Sequence, residues 1–112
     1  MPTTPDGHRF GTPLDGTASA TDTSDTQVIA AQGAAVRIHV TDIIISNSSA
    51  TNTEVVIKSG STARLTYPAP TKGGAVHQLQ TPLVLTANEA LNFAAVAGVT
   101  TIKVSALGYA GE

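Results

Sequence analysis

Between Thr53 and Tyr67 the chain alternates apolar and polar positions twice, with a glycine between the two runs. Thr53, Val55 and Ile57 alternate with Glu54, Val56 and Lys58. Ala63, Leu65 and Tyr67 alternate with Thr62, Arg64 and Thr66. A strand shows successive side chains to opposite faces, so each run reads as a strand with one apolar face, and the pair as a β-hairpin. The turn must bring the two apolar faces to one side. A two-residue loop, Gly60-Ser61, would set Ile57 against Arg64. A three-residue loop over residues 60–62 sets Ile57 against Leu65 and Val55 against Tyr67, with a glycine available for positive φ. That register places Lys58 opposite Arg64. Like charges facing each other are unfavourable, so an acidic neighbour is expected there, from this chain or from a partner.

The same period of two recurs elsewhere. Residues 27–31 (QVIAA) read as a short strand ended by Gln32-Gly33. Over residues 35–48, Val36, Ile38 and Val40 alternate with Arg37, His39 and Thr41, until Asp42-Ile43-Ile44-Ile45 breaks the alternation. Either both faces are buried there or a β-bulge shifts the register near Asp42, and both alternatives make this a central strand. Residues 46–52 (SNSSATN) read as a polar loop. A second loop holds Pro68-Ala69-Pro70 and the pair Gly73-Gly74. Residues 75–79 and 83–86 read as short strands broken at Thr81-Pro82.

Thr86, with Glu89 three residues on, resembles a capping box, and a helix over residues 87–97 is one alternative there. The preferred reading is a turn at residues 87–89 followed by a strand over 90–94 with Leu91 and Phe93 inward. In the last strand, residues 100–110, Ile102, Val104 and Ala106 share one face, with Lys103 and Ser105 on the other. Gly108 is expected to mark a bend, because Leu107 and Tyr109 carry the apolar pattern to the opposite face. About eight short strands with polar turns predict an all-β chain, an antiparallel β-sandwich or jelly roll.

Residues 1–25 break the pattern. Three prolines, three glycines, six threonines and four aspartates leave no apolar period. They read as an extended N-terminal arm outside the core, with residues 26–112 as the β-sandwich domain. Such an arm is either a frayed terminus or a segment that orders against a neighbouring subunit, with Phe10 and Leu14 as anchors and Arg9 beside them.

Composition sharpens this picture. Aromatic residues are 4% and Trp is absent, so the core is aliphatic. Charged residues are 12%, about half the usual share. A surface of Thr, Ser, Asn and Ala is expected to meet another protein, the alternative being a low-charge monomer. The strand-rich part is small for a domain without a staple, so association with copies of itself or with a large partner is expected. Cysteine is absent, which excludes disulfides and leaves the redox compartment open. The net charge is −2 and the six basic residues are scattered, so no nucleic-acid partner is expected. No secretion signal is visible at the N-terminus, and no apolar run approaches the ~20 residues that span a bilayer, so no membrane partner is expected.

Candidate chemistry is sparse. His8, His39 and His77 lie in different segments without a close partner, unlike most zinc sites, and His39 alternates outward. The hydrolase, metalloprotease and phosphate-loop motifs are missing. Asp42, Glu54 and Glu89 are isolated carboxylates, whereas acid–base chemistry on a glycosidic bond needs a pair. Asp6, Asp15, Asp22 and Asp25 lack the one-in-two spacing of a calcium loop. Asn47-Ser48-Ser49 matches a glycosylation sequon but has no export signal to accompany it. Tyr67, Phe93 and Tyr109 fall on faces that pack inward or at an interface, so no aromatic platform for a sugar is expected. The expectation is no catalytic residue, no cofactor and no metal.

The string VIKSGST at Val56 to Thr62, followed by Gly73-Gly74-Ala75 and by Asn88-Glu89-Ala90-Leu91-Asn92-Phe93, resembles small proteins encoded in the head-gene region of tailed bacteriophages. VRIHVTDIIISNSSA fits the same group's opening strand, and the match runs over residues 27–110. Such proteins look like capsid decoration, or cement, proteins. The resemblance implies a β-sandwich or jelly roll on the outer surface of a virion, made in the host cytoplasm. It implies as partners the major capsid protein and copies of itself, as trimers first and dimers second. The expected function is non-enzymatic, bridging adjacent shell subunits. A tail or fibre accessory, or a glycan-binding sandwich, is the alternative. The expected interface residues are Arg9, Phe10, Leu14, Lys58 and Arg64.

Overall fold

The computed structural model describes residues 12–97 and 101–111. Eight strands follow in order: β1 (Thr12–Ala20), β2 (Thr26–Ile29), β3 (Arg37–Asn47), β4 (Thr53–Ser59), β5 (Thr62–Ala69), β6 (Gly73–Val84), β7 (Leu91–Ala95) and β8 (Ile102–Gly111). They form two four-stranded antiparallel sheets, β1-β8-β3-β6 and β2-β7-β4-β5, packed as a sandwich. The pairs β4·β5, β3·β6, β2·β7 and β1·β8 are nested, as in one long hairpin ribbon. The pairings β8·β3 and β7·β4 then wind that ribbon into two layers, which is the connectivity of a jelly roll.

The core between the sheets is aliphatic, as the composition requires. Ile38, Val40, Ile43 and Ile45 of β3, Val55 and Ile57 of β4, Leu91 and Phe93 of β7, and Ile102, Val104 and Ala106 of β8 are all buried. Burying each of the larger ones stabilises by about 1.5–3 kcal/mol. Thr41 is the extra residue that lets Val40 and Ile43, three apart, both point inward. The ladder with β8 passes from Val40↔Gly108 to Asp42↔Leu107 and leaves Thr41 unpaired. Of the two alternatives near Asp42 the bulge is the one present, and β3 is central, flanked by β8 and β6. The turn reading of residues 87–89 also stands, and Leu91 and Phe93 point inward.

The hairpin keeps its expected register at Val55↔Tyr67 and Ile57↔Leu65, but by another route. The turn is the two-residue Gly60-Ser61, with Gly60 at φ 59° and Ser59 paired with Thr62. A bulge after Ile57 absorbs the odd residue, so Lys58 faces Ala63 and not Arg64.

Four further expectations need correction. Residues 12–20, read as part of an arm outside the core, form β1, paired along its whole length with β8. Residues 75–86 are not two short strands: β6 runs through Thr81-Pro82 to Val84. The expected break survives in the pairing: between Gln78 and Leu83 the ladder with β3 is interrupted, so Pro82, on an edge strand, forfeits no ladder hydrogen bond. Pro68 lies inside β5, also an edge strand, and the turn before β6 falls on Thr71-Lys72 rather than on Gly73-Gly74. Gly108 is not a bend. β8 passes straight through it, and a Cβ there would meet His39 O at 2.1 Å, so this is a place where two strands need a bare backbone.

Candidate functional site

The nested winding leaves each sheet one outer face. On the outer face of β1-β8-β3-β6, the strand registers align four rows. The first is Pro13–Tyr109–His39–Val84, the second Asp15–Leu107–Asp42–Gln78. The third is Thr17–Ser105–Ile44–Val76, and the fourth Ser19–Lys103–Ser46–Gly74. Their outward direction follows from the burial of the alternate residues on β3 and β8.

This face holds four of the five large exposed aliphatic side chains among the described residues: Ile44 (38%), Val76 (63%), Val84 (37%) and Leu107 (42%). The fifth, Val96, follows β7 in the other sheet. Scattered exposed aliphatics are ordinary, but four of the five lie on this one sheet face. Charge is arranged along the strands. Asp15 and Asp42 lie in the second row, and Lys103 lies two rows away in the fourth. His39 stacks on Tyr109 in the first row, with centroids 4.6 Å apart and an 8° interplanar angle. Thr17 and Ser105 share a hydroxyl hydrogen bond of 2.9 Å in the third row.

Beside the fourth row lies an open depression of about 380 Å³ lined by Ser46, Asn47, Ser48, Lys72, Gly73 and Gly74. Its floor is built around Asn47, which is 1% exposed. The Asn47 amide donates to Thr51 O and Ala69 O, both at 2.9 Å, and its Oδ1 accepts from Ser49 N at 2.9 Å and Ser49 Oγ at 2.6 Å. All four hydrogen-bonding positions of the side chain are used. The sequon asparagine is thus a loop fastener with a buried amide.

Of the expected interface residues, Leu14, Lys58 and Arg64 are described, and they lie on three different strands, β1, β4 and β5. Arg9 and Phe10 lie outside the described residues, as does His8. Leu14 is half-buried against the sandwich core from β1, so its side chain is engaged within its own subunit. Lys58 Nζ donates to Asp25 Oδ1 at 2.7 Å, and Asp25 is the acidic neighbour the hairpin lacked, supplied by the same chain. Arg64 Nη1 donates to Val84 O at 3.1 Å, tying edge strand β5 to edge strand β6. Sequence reading missed Ile44, Val76, Val84 and Leu107 as a group, because they come from three strands and meet only after the ribbon has wound.

Among the described residues, the aromatic and histidine side chains are engaged within the chain. Phe93 is fully buried, and Tyr67 stacks on His77 at 3.8 Å and 16° between the sheet edges. Burial raises the Tyr67 phenol above its ordinary value of 10.0. His77 Nε2 is buried without a hydrogen-bond partner. Among the described residues no three His, Asp or Glu side chains converge on a metal position.

The strings that carry the resemblance meet in space. Ser59 donates to Glu89 Oε1 at 2.7 Å, Gly60 N donates to Ala90 O at 2.9 Å, and the Asn92 amide donates to Gly60 O at 2.8 Å. Ser59 Oγ also accepts from Thr86 N at 3.0 Å. Ser59 and Gly60 of one string and Glu89, Ala90 and Asn92 of the other therefore lock the hairpin turn to the start of β7. No protein-family model matches the chain, and no curated protein matches it in sequence.

Proposed function

We propose that this protein is a non-enzymatic structural component of a bacteriophage particle, which decorates the outside of the head and joins neighbouring shell subunits. The observation that carries the reading is the outer face of β1-β8-β3-β6, where Ile44, Val76, Val84 and Leu107 stand exposed on a sheet with few charges. A face of that kind works by contact area. The jelly-roll winding, the strings that resemble phage head accessories and the low charge of the whole chain support it further. Cementing needs no reacting group: two contact surfaces on one rigid body, one on each side of a joint, resist its opening. Many repeated copies multiply a modest interface of the standard ~1,600 Å².

The test is occupancy. Purified chain is incubated with heads that lack it, pelleted, and located on the particle by electron microscopy. Binding in saturable, symmetry-related copies and a raised rupture temperature are the expected results. Absence of the protein from purified particles, or turnover of a small molecule by it, ends the proposal. The contribution of the N-terminal segment is tested by a deletion that stops at Gly11, since β1 begins at Thr12 and a longer cut would remove an edge strand.

A further inference from the structure

The outer face of β1-β8-β3-β6 is polar in one direction along its strands, and that order is self-complementary. Acidic Asp15 and Asp42 flank Leu107 in the second row, and Lys103 stands in the fourth on the same strand as Leu107. The third row, with Ile44 and Val76, lies midway. Neither Asp15, Asp42 nor Lys103 has an ion-pair partner among the described residues.

We propose that a second copy of this chain packs on this face, outer face to outer face, about a two-fold axis that runs across the strands at the Thr17–Ser105–Ile44–Val76 row. Such an axis keeps each strand over its own copy and exchanges the second row with the fourth. Lys103 of one copy then lies over Leu107 of the other, with Asp15 and Asp42 one strand away on either side, about 4.8 Å. Its methylene stem covers Leu107 while its ammonium reaches the two carboxylates. Ile44 and Val76 meet their own copies at the axis, which gives the interface an aliphatic centre and a charged margin. The strands of the two copies run antiparallel and nearly aligned, the usual geometry for two packed sheets.

The alternative axis, along the strands, fails on charge. It would exchange β8 with β3 and keep each row on itself. Lys103 would then face Ser46, and Leu107 would face Asp42, leaving lysines and acids about 13 Å apart along the strand.

Four strands about 4.8 Å apart and eight residues at about 3.3 Å give a footprint of roughly 500 Å² per copy, or ~1,000 Å² in total. That is the lower limit for a specific interface, so the dimer is weak, with a Kd on the order of 10–100 μM. The inference rests on the reading of this face as a contact surface. It makes the face the joint between two copies, so that the pair, each copy holding one shell subunit, supplies the bridge. A dimer presents its shell-binding surface twice, and the linkage raises binding without new contacts.

The test uses the full chain in solution, without any shell, so its failure is separate from a failure to decorate heads. Sedimentation velocity is run from about 1 to about 500 μM. The mass is expected to rise with concentration from 11.3 kDa towards twice that value. Val76→Asp places like charges face to face at the axis and is expected to weaken the dimer at least ~10-fold. Val76 is well exposed, and an unchanged melting curve confirms that the variant folds. Lys103→Glu is expected to weaken it by a similar factor of ~10 at low salt, and Lys103→Glu combined with Asp15→Lys and Asp42→Lys to restore it. A monomer at every concentration, a trimer, or a dimer indifferent to Val76→Asp overturns the proposal.

Discussion

Asn47→Ala is expected to remove a large part of the stability of the sandwich, because one side chain fastens a loop to two strands. Asn47 ends β3, and its four hydrogen bonds reach Ser49, Thr51 and Ala69. Those to Ala69 O and Ser49 N are buried, so alanine leaves both partners without water or protein to replace the amide. Each orphaned group costs about 1–3 kcal/mol. The other two are less damaging. Ser49 Oγ retains Thr51 O at 3.1 Å, and the Thr51 bond is only partly buried. The sum is about 3–5 kcal/mol, against ~5–15 kcal/mol for a whole domain. Equilibrium urea denaturation followed by circular dichroism measures it. With a slope near 1.5 kcal/mol/M, the midpoint should fall by roughly 2–3 M. Asn47→Asp conserves volume and the accepting oxygen but aims a carboxylate at the carbonyls of Thr51 and Ala69. It should be at least as damaging at neutral pH and partly recover on acidification, as protonation restores one donor. A loss below ~1 kcal/mol for alanine would falsify the reasoning, since it would mean that water satisfies the groups Asn47 now serves.

Three further outcomes are expected. Gly108→Ala drives a Cβ to within 2.1 Å of His39 O, so β8 and β3 must part, with a loss of about 2–3 kcal/mol and a melting temperature lower by at least ~10 °C; a melt within ~3 °C of the parent contradicts the close approach. Lys58→Ala breaks the pair with Asp25, whose side chain is 39% exposed, and should cost at most ~1 kcal/mol, a difference that shrinks in salt. The Tyr67 phenol is raised above 10.0 by burial, so the folded state holds its proton where the unfolded state has released it. That contribution to stability is complete below pH 10.0 and is lost as pH rises through the higher folded value. Tyrosinate absorbance should show one late step that disappears in Tyr67→Phe, and alkaline unfolding that is unchanged in Tyr67→Phe would contradict the assignment.

Period-two alternation was enough to find seven strands and the core residues on β3, β4, β7 and β8, because each carries branched aliphatics on one face. β1 was hidden by its size rather than by its pattern. Leu14, Gly16, Ala18 and Ala20 point inward and Pro13, Asp15, Thr17 and Ser19 outward, a clean alternation written in small residues with low strand propensity. The hairpin shows a second limit. Alternation fixed Ile57 against Leu65, but whether the odd residue sits in the loop or in a bulge depends on the neighbouring strand. The contact face was illegible for a topological reason. Ile44 and Asp42 share their outward side with His39 only because Thr41 is unpaired, and Val76 joins them only through pairing with β3.

The strings that resemble phage head proteins turn out to serve the winding. Ser59 and Gly60 close a two-residue turn, and Glu89, Ala90 and Asn92 hold that turn against β7, the strand that must lie beside β4 for the ribbon to become two layers. Residues of this kind specify a fold, and proteins that share the fold can share them whatever they bind. On the proposed reading, specificity lies where the lock does not reach, on the outer face with Ile44, Val76, Leu107, Asp15, Asp42 and Lys103. The two sets of residues are separable in the molecule, and so are their phenotypes. A change at Asn47 weakens every property of the protein together with its fold, whereas a change at Val76 leaves the melting curve in place and alters what the folded protein holds.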